Sequence, residues 1–389
     1  MISKAHFSIL SFALGTMMAL SACQTDATDA ENTKAPAVQQ TESEQVVENP
    51  SSSSNQQWVI ALDKFRLRDK AGQEGAVLTQ LAEGVIVEHM GEVSDFKDRI
   101  KLRSILYDEP WIKVKTAAGT EGWAFAGGLL PMQGNQTPLA RELMNGRLIQ
   151  IFGAQLAGRI EAYRQEIEAA KTSDQLALAY RNGLQLCEKL SVVLQDRFEI
   201  IDANAPNLFW LEQAIPAYIV QLVAEGTMYQ LFNDYKKWQP LAAATEGEED
   251  DAFVQFCQQA HAQDSVENFF YAWFLQTWDY GGSSLLGQGI HLKTLEAMDK
   301  AWTAGPQFHP EISKIKQDWM QDITVDVSAE DIGGYWEDKE KIITEMDQIL
   351  AGNFQVLTKE DRVALEVRRK MFDNPSANKI RINQRSGTQ

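Results

Sequence analysis

Histidine and cysteine are scarce in this chain of 389 residues, which contains five of the former and three of the latter. Four histidines follow residue 22, and no two of them form a His-x-x-x-His pair: His89, His261, His291 and His309. A zinc hydrolase needs at least two such ligands at suitable spacing. The Gly-x-Ser-x-Gly turn that exposes the nucleophile of α/β-hydrolases is also missing. These absences argue against the common zinc and serine hydrolases, and we predict neither a metal site nor a cofactor.

Positive charge is also in short supply, since 36 Lys and Arg residues stand against 54 Asp and Glu residues. The formal net charge is −18, and removal of residues 1–22, which contain Lys4 and no acid, leaves −19. An acidic chain repels the phosphates of nucleic acids and of anionic lipids. We therefore expect no nucleic-acid partner and no docking on lipid through a basic face.

The N-terminus has the pattern of a secretory signal peptide, with Lys4 followed by an apolar run from Phe7 to Leu20 and then small residues. The run is too short for a stable membrane span. Its end, Leu20-Ser21-Ala22-Cys23, resembles the bacterial lipobox. The resemblance implies cleavage before Cys23, a diacylglycerol on its thiol and an acyl chain such as palmitate on its amine. We therefore predict a lipoprotein held in the cell envelope by Cys23.

The residues after Cys23 indicate where the anchored protein lies. Gln24 stands where an Asp retains enterobacterial lipoproteins at the inner membrane, so the resemblance favours the outer membrane, on its periplasmic or its surface side. Residues 23–57 are polar and low in complexity, which predicts a disordered tether. A flexible coil of this length spans roughly 30 Å. The folded part is therefore expected to stand clear of the lipid headgroups.

Short alternating runs separated by turns replace the tether at 58–131 and predict β-strands. Four motifs of this region resemble, in the same order, those of the bacterial SH3 (SH3b) domain. They are Leu67-Arg68, Leu81-Ala82-Glu83-Gly84, the Trp-x-x-Val that begins at Trp111, and Gly122-Trp123. The resemblance implies a small β-barrel and, as often in that family, binding of peptidoglycan peptides. The barrel needs large residues inside, so Trp111 and Trp123 are interpreted as core residues, with ligand stacking as the alternative.

One segment of this region, 91–110, is longer than the corresponding loop of the family. It carries apolar residues, and we predict an extended hairpin or flap over one side of the barrel. The family's binding residues are not set by the motifs that match. The insertion therefore leaves the ligand of this region open.

Helical periodicity begins near residue 138 and continues to 373, before a basic flexible tail at 374–389. The predicted helices cover 139–171, 173–199, 206–237, 250–280, 291–304, 309–322, 328–351 and 358–373. Two segments, 208–222 and 269–275, are apolar nearly all round and are expected to be central helices. The predicted fold is thus α+β and multidomain, with a small SH3-like β-barrel followed by a larger all-α helical bundle.

Within the helical part, one glycine-rich segment is a candidate ligand site. Asp279, Tyr280, Gly282 and Ser283 follow an apolar run, and His291 comes shortly after the glycines. Glycines allow backbone to approach a ligand closely, although a tight crossover between packed helices needs them equally. The two cysteines that remain, Cys187 and Cys257, lie on apolar helical stripes. Two buried free thiols are preferred over a disulfide, which the envelope would also permit.

Taken together, the residues favour binding over catalysis. The leading hypothesis is a non-catalytic envelope lipoprotein that binds peptidoglycan or a protein partner through its SH3b and helical modules. One alternative is a cell-wall enzyme with an unrecognised helical active site, because paired carboxylates cannot be identified from spacing alone. The other is a small-molecule receptor that uses the aromatic helical core.

Overall fold

A computed structural model shows an N-terminal antiparallel sheet followed by a mainly helical region, a mixed α+β fold. All described residues belong to one compact unit. They are residues 56–132, 134–135, 137–198, 206–223, 226–261, 270–276, 282–324, 334–335 and 337–382. Cys23, the tether to residue 55, Asp279, Tyr280 and the last seven residues of the tail lie outside them.

Seven strands form the N-terminal sheet, in the order β3-β2-β6-β5-β4-β1-β7. Their bounds are β1 Gln57–Ile60, β2 Phe65–Arg68, β3 Val77–Leu81, β4 Ile86–Leu102, β5 Ile105–Thr116, β6 Glu121–Phe125 and β7 Leu129–Pro131. Strands β3 and β7 are the two edges, so the sheet is open and the prediction of a closed barrel is wrong. Helix α1 (Pro138–Ala169) meets the sheet through polar side chains, because Arg147 bonds to Glu109 and Gln150 donates to the carbonyl of Leu106.

The most extended part of the sheet is the hairpin of β4 and β5, which includes the segment 91–110. Its ladder runs from Val87 opposite Thr116 to Leu102 opposite Ile105, with register shifts near Val93. The two turn residues, Arg103 (φ 39°) and Ser104 (φ 68°), both lie in the left-handed region. Two such residues are the geometry of a type I′ turn, whose twist matches that of the paired strands.

The remaining helices are α2 Ser173–Arg197, α3 Leu211–Ala214, α4 Tyr235–Ala242, α5 Glu249–Ala260, α6 Ile290–Ala304, α7 His309–Thr324, α8 Lys339–Ala351 and α9 Lys359–Met371. The predicted helices at 139–171, 173–199, 291–304, 309–322 and 358–373 are confirmed by α1, α2, α6, α7 and α9. Hydroxyl side chains cap three of these helices: Thr137, Thr172 and Thr358. Each accepts a hydrogen bond from a backbone N–H that has no partner within the helix. None of the described helices is long and apolar enough to cross a membrane.

The predicted helix at 206–237 is wrong over most of its length. The predicted helix at 250–280 is confirmed at 250–260 by α5 but wrong at 270–276, and the region is not all-α. Strands β8 (Tyr218–Val223) and β9 (Met228–Asn233) form one hairpin, and β10 (Phe274–Gln276) pairs with β11 (Gly282–Ser284). Both segments expected to be central helices contain a strand instead. They are short apolar runs rich in β-branched and aromatic residues, and periodicity alone cannot distinguish a buried strand from a buried helix there.

A buried ion pair joins the sheet to the first helix. Arg147 of α1 donates two hydrogen bonds of 2.8 Å to the carboxylate of Glu109 on β5. It also donates to the carbonyl oxygens of Leu129 (2.9 Å) and Ala126 (2.8 Å), and its guanidinium lies 5.5 Å from the ring of Tyr107. The side chains of Arg147 and Glu109 are only 2% and 8% exposed. A charge so deeply buried is tolerated only because each of these partners is present.

Candidate functional site

The two tryptophans proposed from the sheet are placed differently by the structure. Trp111 is buried, packs against Phe125 with ring centroids 5.7 Å apart, and donates its indole N–H to Asp98 at 2.8 Å. Trp123 is half-buried on β6, opposite Arg68 of β2. Trp111 is therefore enclosed in the core of the sheet, and its ring is already covered by protein.

In the helical region, His291 is the one residue proposed near 282–291 that joins a buried polar cluster among the described residues, and its partners there are Ser284 and Asp322, neither of which was proposed. Ser284 donates its hydroxyl to Oδ2 of Asp322 at 2.6 Å, and Nε2 of His291 lies 2.8 Å from the same oxygen. Ser283, Ser284 and His291 are almost completely buried. One carboxylate of α7 thus ties strand β11 to helix α6. Asp322 was not singled out from the sequence, because it lies far along the chain from both of its partners.

Aromatic rings enclose this cluster. His291 lies between Trp273 and Trp319, at centroid distances of 6.4 and 6.1 Å, and Tyr271 stacks on Trp273 at 4.2 Å. Tyr271 also donates its hydroxyl to Asp318, one helical turn before Asp322, at 2.7 Å. Two carboxylates on one face of α7 therefore hold the segment that contains β10 and β11. This arrangement keeps the imidazole away from solvent.

Three buried polar atoms beside this cluster have no hydrogen-bond partner among the described residues. They are Nδ1 of His291, Oγ1 of Thr294 and the indole N–H of Trp319. His291 and Thr294 are neighbours on one face of α6, and Trp319 faces His291 from α7. The interior between α6 and α7 is therefore polar as well as aromatic.

The glycine-rich loop before α6 is bound by a carboxylate from another helix. Glu345 of α8, which is 2% exposed, accepts backbone N–H bonds from Gly287 (2.5 Å), Gly289 (3.0 Å) and Leu292 (2.9 Å). Both glycines have positive φ, and a Cβ at Gly287 would stand 3.0 Å from the backbone nitrogen of Ile342. The first N–H groups of a helix have no partner within it and favour negative charge. Gly287 therefore allows the loop to pass close to the backbone of α8.

The outer side of this loop forms one wall of a groove of about 240 Å³. The groove is lined by Gly287, Gly289, Glu340, Lys341, Thr344, Glu345 and Gln348. Four of these residues, at positions 341, 344, 345 and 348, form one face of α8, because residues three and four apart are neighbours on a helix. The groove offers hydrogen-bonding side chains and glycine backbone without any thiol or imidazole.

Neither of the remaining cysteines is placed for catalysis. Cys187 and Cys257 are free and buried in the core. Burial raises the pKa of both thiols far above the ordinary value, because a thiolate cannot be solvated there. Since the thiolate is the nucleophile, the two cysteines are structural.

The stacked imidazole of His261 leads to a prediction about pH. Packing around it lowers its pKa to about 4, whereas an unfolded histidine titrates near 6.5. The unfolded chain therefore binds more protons between these values. The stability that the neutral, buried His261 contributes to the folded protein is fully present above about pH 6.5. It is lost as the pH falls toward 4, because protonation then favours the unfolded chain. Part of the ring remains accessible, so the slope should stay well below the limit of ~1.4 kcal/mol per pH unit for one group.

The measurement is urea unfolding at several pH values, with His261→Phe as the comparison. The rings of Tyr235 and Tyr271 lie 5.1 and 5.0 Å from the imidazole. Phenylalanine at position 261 keeps both rings covered. Carboxylates titrate in both proteins and cancel in the difference. We expect a shallower slope for the variant, and equal slopes would contradict the prediction.

Among the described residues, no group of three or more His, Cys, Asp or Glu side chains is placed to hold a metal ion. No protein-family model, curated protein or solved structure matches the chain.

Proposed function

We propose that this protein is a lipid-anchored protein of the bacterial envelope that binds peptidoglycan and catalyses no reaction. One observation supports binding over catalysis. Asp322 and His291 are held in internal hydrogen bonds, and Glu345, which lines the accessible groove, is engaged by three backbone N–H groups; the groove contains no thiol or imidazole. The lipobox-like segment that ends at Cys23 supports the location at the envelope. A protein partner is the alternative ligand.

We further propose that the N-terminal sheet is a diverged bacterial SH3 module with an inserted hairpin. The order of the motifs supports this, from Leu67-Arg68 through Trp111 to the final Gly122-Trp123. So does an antiparallel sheet in which β5 and β6, which carry these tryptophans, are adjacent. Such a module is suited to placing a second binding surface on the cell wall.

The groove beside the glycine-rich loop offers a direct test with a matched pair of threonines. Thr344 lines the groove, and its hydroxyl donates to the carbonyl of Glu340 at 2.7 Å. Thr303 is exposed on α6 outside the groove, and its hydroxyl makes the same bond to Asp299 at 2.9 Å. Tryptophan at either position disturbs the helix in a similar way, but only Thr344→Trp fills the groove.

The mature chain and both variants should be incubated with purified peptidoglycan and sedimented. We expect the wild-type protein and Thr303→Trp to be retained. Thr344→Trp should lose about tenfold or more in affinity, a cost of about 1.4 kcal/mol, because the indole occupies the space of the ligand. Absence of wild-type retention would contradict wall binding and favour a protein partner. Equal retention of both variants would exclude the groove. Clearing of the wall substrate by the wild-type protein would overturn the proposal that it is not an enzyme.

A further inference from the structure

Charge is distributed unevenly between the sheet and the rest of the chain. Residues 57–131 contain ten Lys and Arg and eleven Asp and Glu, a net charge of −1 out of −18 for the whole chain. The acidity therefore lies in the tether and the helical region. The nearly neutral sheet can therefore approach an anionic surface without strong repulsion.

Three cations of the sheet lie in a row on the outer face of the hairpin. Lys97, Arg99 and Lys101 alternate along β4, so they project from the same face, about 7 Å apart. All three are exposed. We call them the cationic stripe. Opposite them on β5 stand Pro110, Asp108 and the exposed Leu106, so Asp108 is the one acid directly across the ladder.

The acids of the inner face do not neutralise the stripe. Glu109 is bonded to the buried Arg147, and Asp98 accepts the indole N–H of Trp111. Both acids point away from the stripe, because successive side chains of a strand project to opposite faces. Glu109 and Asp98, the acids with internal partners, therefore lie on one face of the hairpin. The cationic stripe lies on the opposite face.

Two other cations of the sheet, on β5, differ from the stripe in having acidic partners. Lys113 pairs with Glu92 at 2.6 Å and Lys115 with Glu121 at 3.2 Å. Within the described part of the chain, no carboxylate oxygen lies within 4.0 Å of the charged nitrogens of Lys97, Arg99 or Lys101. These three side chains are therefore available to an external anion.

We propose that the cationic stripe lies against the phosphate headgroups of a membrane surface, with Leu106 as an apolar contact beside it. The proposal rests on the proposed lipid anchor for the membrane itself. Strand β1 starts at Gln57 and pairs with β4, so this sheet directly follows the tether from Cys23. A flexible tether with an average span of roughly 30 Å lets the sheet stand clear of the lipid and equally lets it reach the headgroups, and the stripe favours the second position. The net charge of the whole chain predicts repulsion from anionic lipid, because it averages over a nearly neutral sheet and an acidic helical region.

The test uses the chain from residue 23 onward with Cys23→Ser, so that it carries no lipid. Sedimentation with vesicles of one part phosphatidylglycerol to two parts phosphatidylcholine should show binding that falls with added salt, and pure phosphatidylcholine should show none. Replacing all three stripe residues with glutamine should weaken binding roughly hundredfold, since each basic side chain at an anionic surface contributes about fivefold. Asp108→Asn should strengthen binding several-fold.

The matched control replaces Lys113 and Lys115 with glutamine, which removes two cations of the same sheet that already have acidic partners, and should change binding little. Urea midpoints establish that every variant is folded.

The proposal is overturned if the wild-type chain does not bind anionic vesicles, if the stripe variant binds as well as the wild type, or if Asp108→Asn weakens binding. Displacement by millimolar inorganic phosphate at constant ionic strength would assign the stripe to free phosphate instead. Because no peptidoglycan is present, failure here is distinct from failure of wall binding.

Discussion

Replacing Glu109 with alanine should lower the free energy of unfolding by about 3–5 kcal/mol, the cost of leaving one partner of a buried ion pair alone. Arg147 would keep only two backbone carbonyls, those of Leu129 and Ala126, as hydrogen-bond acceptors. Its guanidinium is 2% exposed and cannot reach water. The expected result is therefore a large fall in the urea midpoint, and with it a loosening of the hairpin against α1.

A surface pair in the same sheet serves as the control. Arg103 and Glu83 lie 3.0 Å apart, and their side chains are 33% and 43% exposed. Glu83→Ala should cost at most about 1 kcal/mol, because water already solvates both charges. The double variant Glu109→Leu with Arg147→Met should recover most of the loss, since an apolar pair of similar volume needs no solvation. A Glu109→Ala effect as small as that of Glu83→Ala would show that Arg147 is not truly enclosed.

Glu345→Ala should cost about 3 kcal/mol or more, because it removes the acceptor of three backbone N–H groups and each unsatisfied buried donor costs roughly 1–3 kcal/mol. The donors are the amides of Gly287, Gly289 and Leu292, at the start of α6. The glycine-rich loop should then separate from α8. Limited proteolysis should cut it faster in the variant than in the wild type.

Two substitutions on the same helix make this result specific. Glu345→Gln keeps an acceptor oxygen and loses the charge, so its effect should be intermediate. Glu340→Ala, an exposed acid one turn earlier, should change the free energy of unfolding by no more than about 0.5 kcal/mol. If Glu345→Ala lowers the free energy of unfolding as little as Glu340→Ala does, the backbone N–H groups of the loop have other hydrogen-bond acceptors.

Much of the fold could be predicted because it depends on local signals. Helices such as α2 and α9 combine a threonine cap with sustained helical periodicity, and both signals are short-range. The site was predictable only in part. His291 and the glycines stand close together in sequence, whereas Asp322 and Glu345 come from helices 31 and 53 or more residues further on. No spacing rule links them, because the packing of α6 against α7 and α8 brings them together.

By itself, the sequence determined the alternation of the N-terminal strands, the ends of the long helices and the acidity of the chain, since each depends on neighbouring residues or on composition. Only the tertiary structure decided that the sheet stays open, that 218–223 and 274–276 are strands, and that Arg147 meets Glu109. It also placed Lys97, Arg99 and Lys101 on a solvent face, because strand register and the packing of α1 determine which side of the hairpin is buried. These outcomes depend on contacts between residues far apart in the chain, and such contacts leave no periodic signal in the sequence.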